Sequence, residues 1–267
     1  MLGPTRPKPA ASLAVAIAWA LALGAVGATR YRGSWAFYHG LHERLSKLGV
    51  PGGVRNLDYV AIMLGAAALA AIAACLLTRA TFADALALRC PRRGWWRMVL
   101  LASAPMIVGG CVLMVLRSAW PDAGELAKLV VRAPIVEEVL FRGALVALPL
   151  ATLGDRPRVF WIAAVTSSIL FGSLHAPWTA DGFASGWASV LVAGLGGVWY
   201  AWVMRAWRSV FVTIALHAVM NLGWTLAGAA GGAGGGGWIE NSLRVATIVI
   251  ATVWTMRLIR ARKEPQP

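Results

Sequence analysis

Acids are what this chain has least of: 11 Asp and Glu stand against 25 Lys and Arg in 267 residues, and charged side chains make up only 13% of the total. With 59% hydrophobic residues, that scarcity excludes an ordinary soluble globule and leaves an integral membrane protein. In so apolar a chain the net charge of +14 belongs to cytoplasmic loops and anionic lipid headgroups, so the bilayer is the expected partner and nucleic acid is not. Cysteine is scarce too. Cys75, Cys90 and Cys111 lie far apart without CxxC spacing, and no chemistry is assigned to them. Any Asp or Glu inside an apolar run is expensive to keep there and becomes a functional candidate.

What the chain has instead is long hydrophobic runs. Eight approach or exceed the length that crosses a bilayer, at residues 10–29, 59–78, 98–116, 129–153, 159–176, 187–204, 210–229 and 238–258. Backbone in hydrocarbon must satisfy its own hydrogen bonds, and these runs lack the alternation of barrel strands, so all eight are read as helices. The expected fold is all-α: a polytopic bundle of about eight transmembrane helices, one integral membrane domain over residues 1–267, with short basic cytoplasmic tails at 1–9 and 259–267. The first run is read as a retained span; a cleaved signal peptide is the alternative, because residues 25–28 are small. Residues 228–237, nearly pure Gly and Ala, read as a flexible outer turn, and a short surface helix is expected around residues 42–48.

Basic residues report orientation, because cytoplasmic loops carry the excess. With the N-terminus inside, the inner segments hold Arg6, Lys8, Arg79, Arg89, Arg92, Arg93, Arg97, Arg156, Arg158, Arg205, Arg208, Arg257, Arg260, Arg262 and Lys263, which is 15. The outer segments hold Arg30, Arg32, Arg44, Lys47, Arg55, Arg117 and Lys128, which is 7. Both termini are therefore expected in the cytoplasm of a bacterial inner membrane, with the Arg-bearing first outer loop as the exception.

The rare polar residues fall in order along three of the runs. In the fourth, Glu137 and Glu138 are followed by Arg142, and the i,i+4 spacing lets Glu138 and Arg142 pair and share the cost of burial. Glu137 points elsewhere and keeps spare capacity. Pro134 is expected to mark the first helical turn, leaving 128–133 at the interface. Phe171 and His175 share a face near the end of the fifth run; His217 and Asn221 share one inside the seventh. A lone histidine on an apolar helix is usually an interhelical hydrogen-bond partner. Glu137, His175, His217 and Asn221 on three helices are what a site inside a bundle requires.

Glu137-Glu138-x-x-x-Arg142, Phe171-x-x-x-His175 and His217-x-x-x-Asn221, each on its own hydrophobic segment, resemble the three motifs of the CPBP family, the CAAX prenyl endopeptidases and their bacteriocin-processing and self-immunity relatives. The resemblance covers residues 129–224, the motif-bearing catalytic core. It implies an eight-helix intramembrane endopeptidase with catalytic roles for Glu137, His175, His217 and Asn221, and support from Glu138, Arg142 and Phe171.

The chemistry agrees with that implication. Amide hydrolysis needs a base to activate water, a stabiliser for the oxyanion and a proton donor for the leaving amine. Glu137 with His175 supplies the base, and His217 with Asn221 supplies the oxyanion donors. The expected substrate is a membrane-anchored, lipidated or exported protein cut near its C-terminus. No cofactor is favoured; a zinc version would use Glu137, His175 and His217 as ligands. The zinc-protease HExxH arrangement is missing, since His42-Glu43 runs into Arg-Leu-Ser, and Gly172-Ser173-Leu174 lacks the second Gly of a GxSG serine-protease motif. A proton-relay transporter would show repeated halves, and none is visible. The main rival is a non-catalytic, protease-like membrane protein acting in bacteriocin immunity or as an envelope scaffold. Under the positive-inside orientation the site faces the outer leaflet.

Overall fold

The structure, a computed structural model, describes residues 9–31, 43–44, 47–48, 57–118, 120–228 and 237–261. It is helical throughout, with no strand among the described residues. The long helices are α1 (Pro9–Tyr31), α2 (Leu57–Leu77), α3 (Trp95–Arg117), a composite α4 over residues 123–153, α5 (Pro157–Ser173), α6 (Ala180–Trp207), α7 (Val210–Leu226) and α8 (Trp238–Arg260), with one further turn of helix at Phe82–Ala85. Each expected run has its helix. Most of the 228–237 turn, residues 42, 45 and 46 of the expected surface helix and most of both tails lie outside the described residues.

By length and composition α1, α2, α3, α6 and α8 are able to cross a membrane, and α7 is a shorter apolar helix. The fourth run differs for a physical reason: it carries Lys128, Arg132, Glu137, Glu138 and Arg142, and it alternates α and π turns. The amide of Ala133 bonds the carbonyl of Lys128, and that of Leu148 bonds Gly143, each five residues back. The helical run also starts earlier than Pro134 suggests, at Ala123, where the Asp122 side chain caps the Gly124 and Glu125 amides at 2.8 and 3.1 Å. Likewise α6 begins at Ala180 rather than near 187, because Thr179 Oγ1 accepts the Gly182 amide at 3.0 Å. Hydropathy alone hides that turn behind Asp181, Gly182, Ser185 and Gly186.

Helix α4 is the centre of the bundle. Residues 140–149 are buried without interruption, which a helix achieves only when neighbours surround it. It touches α1, α2, α5, α6 and α7, while α3 packs on α7 and α8, and α5 on α6. The α3–α7 crossing is close because both sides are glycine: a Cβ on Gly110 would stand 2.6 Å from the Gly223 carbonyl oxygen. Outward positions are large and apolar, among them Leu69, Leu76, Leu100, Val108, Ile169 and Leu195, as lipid requires.

Candidate active site

The site forms where the first half of α4 meets the end of α5 and the middle of α6 and α7. Glu138 is wholly buried, with Arg142 Nη1 3.3 Å from its Oε1 and His217 Nδ1 2.9 Å from the same oxygen. A carboxylate only accepts, so His217 donates from Nδ1, and its Nε2 is left facing Glu137, whose Oε2 is 3.9 Å away. One histidine thus bridges the two adjacent acids. Glu138 is committed to structure, while the Glu137 side chain keeps 19% of its surface and makes one ion-pair contact among the described residues.

The guanidinium of Arg142 lies over the Phe171 ring at 4.3 Å and over Tyr200 at 5.3 Å. Phe171 in turn meets His175 edge-on at 4.9 Å. A cation so deep needs neighbours of this kind, and the absence of a Cβ on Gly197 makes room for it, since one there would sit 3.1 Å from Arg142 Nη2. Phe171 is therefore a plate between the ion pair and the second histidine.

His175 follows the last turn of α5, and its Nδ1 lies 3.1 Å from the Phe171 carbonyl oxygen. A carbonyl cannot donate, so Nδ1 carries the proton of that bond and Nε2 is left as the other ring position. The guanidinium of Arg30, at the end of α1, donates to the Ala176 carbonyl and holds the turn that carries His175.

Asn221 Nδ2 donates to the Leu129 carbonyl at 2.8 Å. In the five-residue register of this stretch that carbonyl would take the amide of residue 134, and residue 134 is proline, which has none. Asn221 replaces the missing donor and pins α7 to α4, with its second amide hydrogen and its carbonyl oxygen remaining.

Two residues went unnoticed in the sequence. Tyr200 stacks on His217 at 5.3 Å and 22°, with its hydroxyl 2.9 Å from Met220 Sδ. Thr213, fully buried one turn before His217, donates its hydroxyl to the Val210 carbonyl at 2.9 Å. A signal existed for both: Thr213 is i−4 from His217 on one face, and Tyr200 places a phenol deep in an apolar span. For the zinc alternative Glu137, His175 and His217 would converge on one ion at about 2.0–2.2 Å. Among the described residues no three His, Cys, Asp or Glu side chains are grouped to hold a metal ion.

A membrane bundle with a buried acid–arginine pair, a second adjacent acid and two histidines is the class that fold and site define together. The model of one family, described as type II CAAX prenyl endopeptidase Rce1-like, matches residues 118–223, a stretch that contains all seven motif residues. No curated protein and no solved structure matches the chain. The match bears out the resemblance carried by the motifs and supports an intramembrane endopeptidase with a peptide substrate in the membrane.

Proposed function

We propose that the chain is a glutamate-dependent endopeptidase cutting a membrane-anchored, lipidated or exported protein near its C-terminus. The observation that carries this reading is the division of labour between adjacent acids: Glu138 bonded to His217 and paired with Arg142, Glu137 left beside His217 Nε2 at 3.9 Å. Glu137, assisted by His175, takes a proton from water; the hydroxide attacks the scissile carbonyl, the C–N bond breaks, and the proton passes from Glu137 to the leaving amine. Asn221 offers its remaining amide hydrogen to the oxyanion. His217, when protonated, keeps Nδ1–H on Glu138 and offers Nε2–H to the same oxygen. The reaction needs the side chains alone.

The family named by the match gives a starting probe, a farnesylated CAAX-type peptide, to be read beside the C-termini of membrane proteins in cells. Cleavage by the wild type that Glu137→Gln and His217→Ala abolish would support the enzyme. Folded variants with full cellular function would favour the non-catalytic alternative. Stoichiometric zinc in purified protein, with activity lost on its removal, would overturn the metal-free scheme.

Orientation is part of the same proposal. The 15 inner bases support a site that faces the outer leaflet. An impermeant maleimide should label a His175→Cys protein in intact cells while Cys90, exposed at the other end of the bundle, reacts only after lysis. The reverse pattern would put the site in the cytoplasm.

A further inference from the structure

At the end of the bundle opposite the acid–histidine cluster lies a cavity of about 980 Å³, walled by the start of α1, the end of α2 and the loop after it, and the ends of α4 and α6. Five arginines line it, Arg79, Arg89, Arg156, Arg205 and Arg208, against two acids, Asp84 and Asp155, so its wall carries a net charge of +3. Arg89 pairs with Asp84, and Arg205 Nη2 lies 2.7 Å from Asp155 Oδ1, so both acids are already engaged. Apart from Thr78 and Thr152 the rest of the lining is apolar, with Ala10, Leu77, Ala147 and Leu150 among it.

The rim is built rather than incidental. The described residues hold three non-glycine positions with left-handed backbone, and two of them, Ala87 at φ 51° and Arg208 at φ 57°, line this cavity. Such positions are disfavoured for side chains with a Cβ and persist where the surroundings enforce them. Here the enforcement is visible: the Val210 amide donates to the Ala87 carbonyl at 3.0 Å, and Ser209 Oγ donates to the Arg89 carbonyl at 2.7 Å. These two bonds stitch the loop after α2 to the α6–α7 turn and fix Arg89 and Arg208 on one rim.

From the arginine excess above an apolar floor we infer that this cavity is a phosphate-binding site whose occupant is an anionic phospholipid, its headgroup on the arginines and its glycerol and first methylenes on the alanine and leucine floor. Free phosphate would use the rim but not the floor. The site is separate from the proposed catalytic cluster and does not depend on its chemistry.

The test uses full-length protein in mild detergent, with dihexanoyl phosphatidylglycerol and inorganic phosphate as probes and binding read by calorimetry and native mass spectrometry. The short lipid should bind at one site, at least tenfold more tightly than phosphate. Arg79→Gln with Arg208→Gln should weaken it at least tenfold, the paired lysine substitutions should restore most of it, and Arg158→Gln, an exposed base at the same end outside the cavity, should leave it unchanged. Equal affinity for inorganic phosphate would overturn the lipid assignment. Binding unaffected by the double glutamine variant, with both proteins monodisperse and equally heat-stable, would overturn the site, as would binding of neither probe.

Discussion

Two acid–arginine pairs, one at the middle of the central helix and one just beyond its end, are built in opposite surroundings. Arg142 and Glu138 keep 2% and 0% of their side-chain surface, whereas Arg205 and Asp155 keep 26% and 51%. Between exposed partners an ion pair contributes about 0–1 kcal/mol, because water and salt screen it. Between buried partners the desolvation cost is large, and the pair survives only if further hydrogen bonds and ring faces complete it. The buried pair has those: His217 on the Glu138 oxygen, Phe171 and Tyr200 around the guanidinium. The difference teaches that the buried pair is a fixture that orients His217, and that the reactive group should be the acid beside it.

The largest expected effect therefore falls on rate. Glu137→Gln should lower kcat by about 10²–10⁴-fold, the usual contribution of a positioned base. Its midpoint of thermal unfolding should stay within a degree or two, because Glu137 holds no part of the buried pair. A variant that loses stability as well as rate would erase the distinction between the two acids.

Next comes the pair itself. Arg142→Met alone leaves Glu138 buried beside a histidine with no guanidinium, and should cost about 3–5 kcal/mol. Glu138→Leu combined with Arg142→Met should cost much less than the two single changes added, so a double-mutant cycle by denaturation in detergent measures the coupling. Additive costs would mean that the pair is no tighter than its exposed counterpart. Even where the double variant is stable, His217 has lost the acceptor for Nδ1–H, so cleavage should remain impaired.

The acid–arginine pair and the two histidines were readable in the sequence because each is a rare polar residue in an apolar run, and i,i+4 spacing is a local property. What was not readable comes from tertiary contact. The stacking of Tyr200 on His217 joins α6 to α7, and nothing in the spacing of either helix specifies it. The π turns of α4 likewise leave no signature in hydropathy. They decide that Leu129, rather than a carbonyl elsewhere, is left without its amide donor, and so they decide what Asn221 does. Sequence proposed Asn221 as an oxyanion donor; the bond to Leu129 adds a structural duty that spacing to His217 does not reveal.

That duty makes Asn221→Ala a middle case, between the buried pair and the exposed one. Removing Nδ2 orphans a backbone carbonyl that proline has already deprived of its partner, at about 1–3 kcal/mol. Asn221→Asp keeps the size but not the donor, and should be at least as costly, since two acceptors then face each other. If Asn221→Ala proves neutral in stability and still lowers kcat, its bond to Leu129 is incidental and the oxyanion role stands alone.

The smallest effect belongs to the exposed end. Arg205→Gln breaks the pair with Asp155 and removes a guanidinium that lies 4.6 Å from the Phe160 ring. The expected cost is about 0–1 kcal/mol, and raising the salt should shrink the difference from wild type, because a Debye length of about 8 Å at physiological ionic strength covers little more than the pair itself. Asp155 is left in solvent rather than in hydrocarbon, so it carries none of the penalty that Glu138 would. A loss of about 3 kcal/mol or more, insensitive to salt, would show that this rim is as dry as the core, and the contrast between the two pairs would collapse.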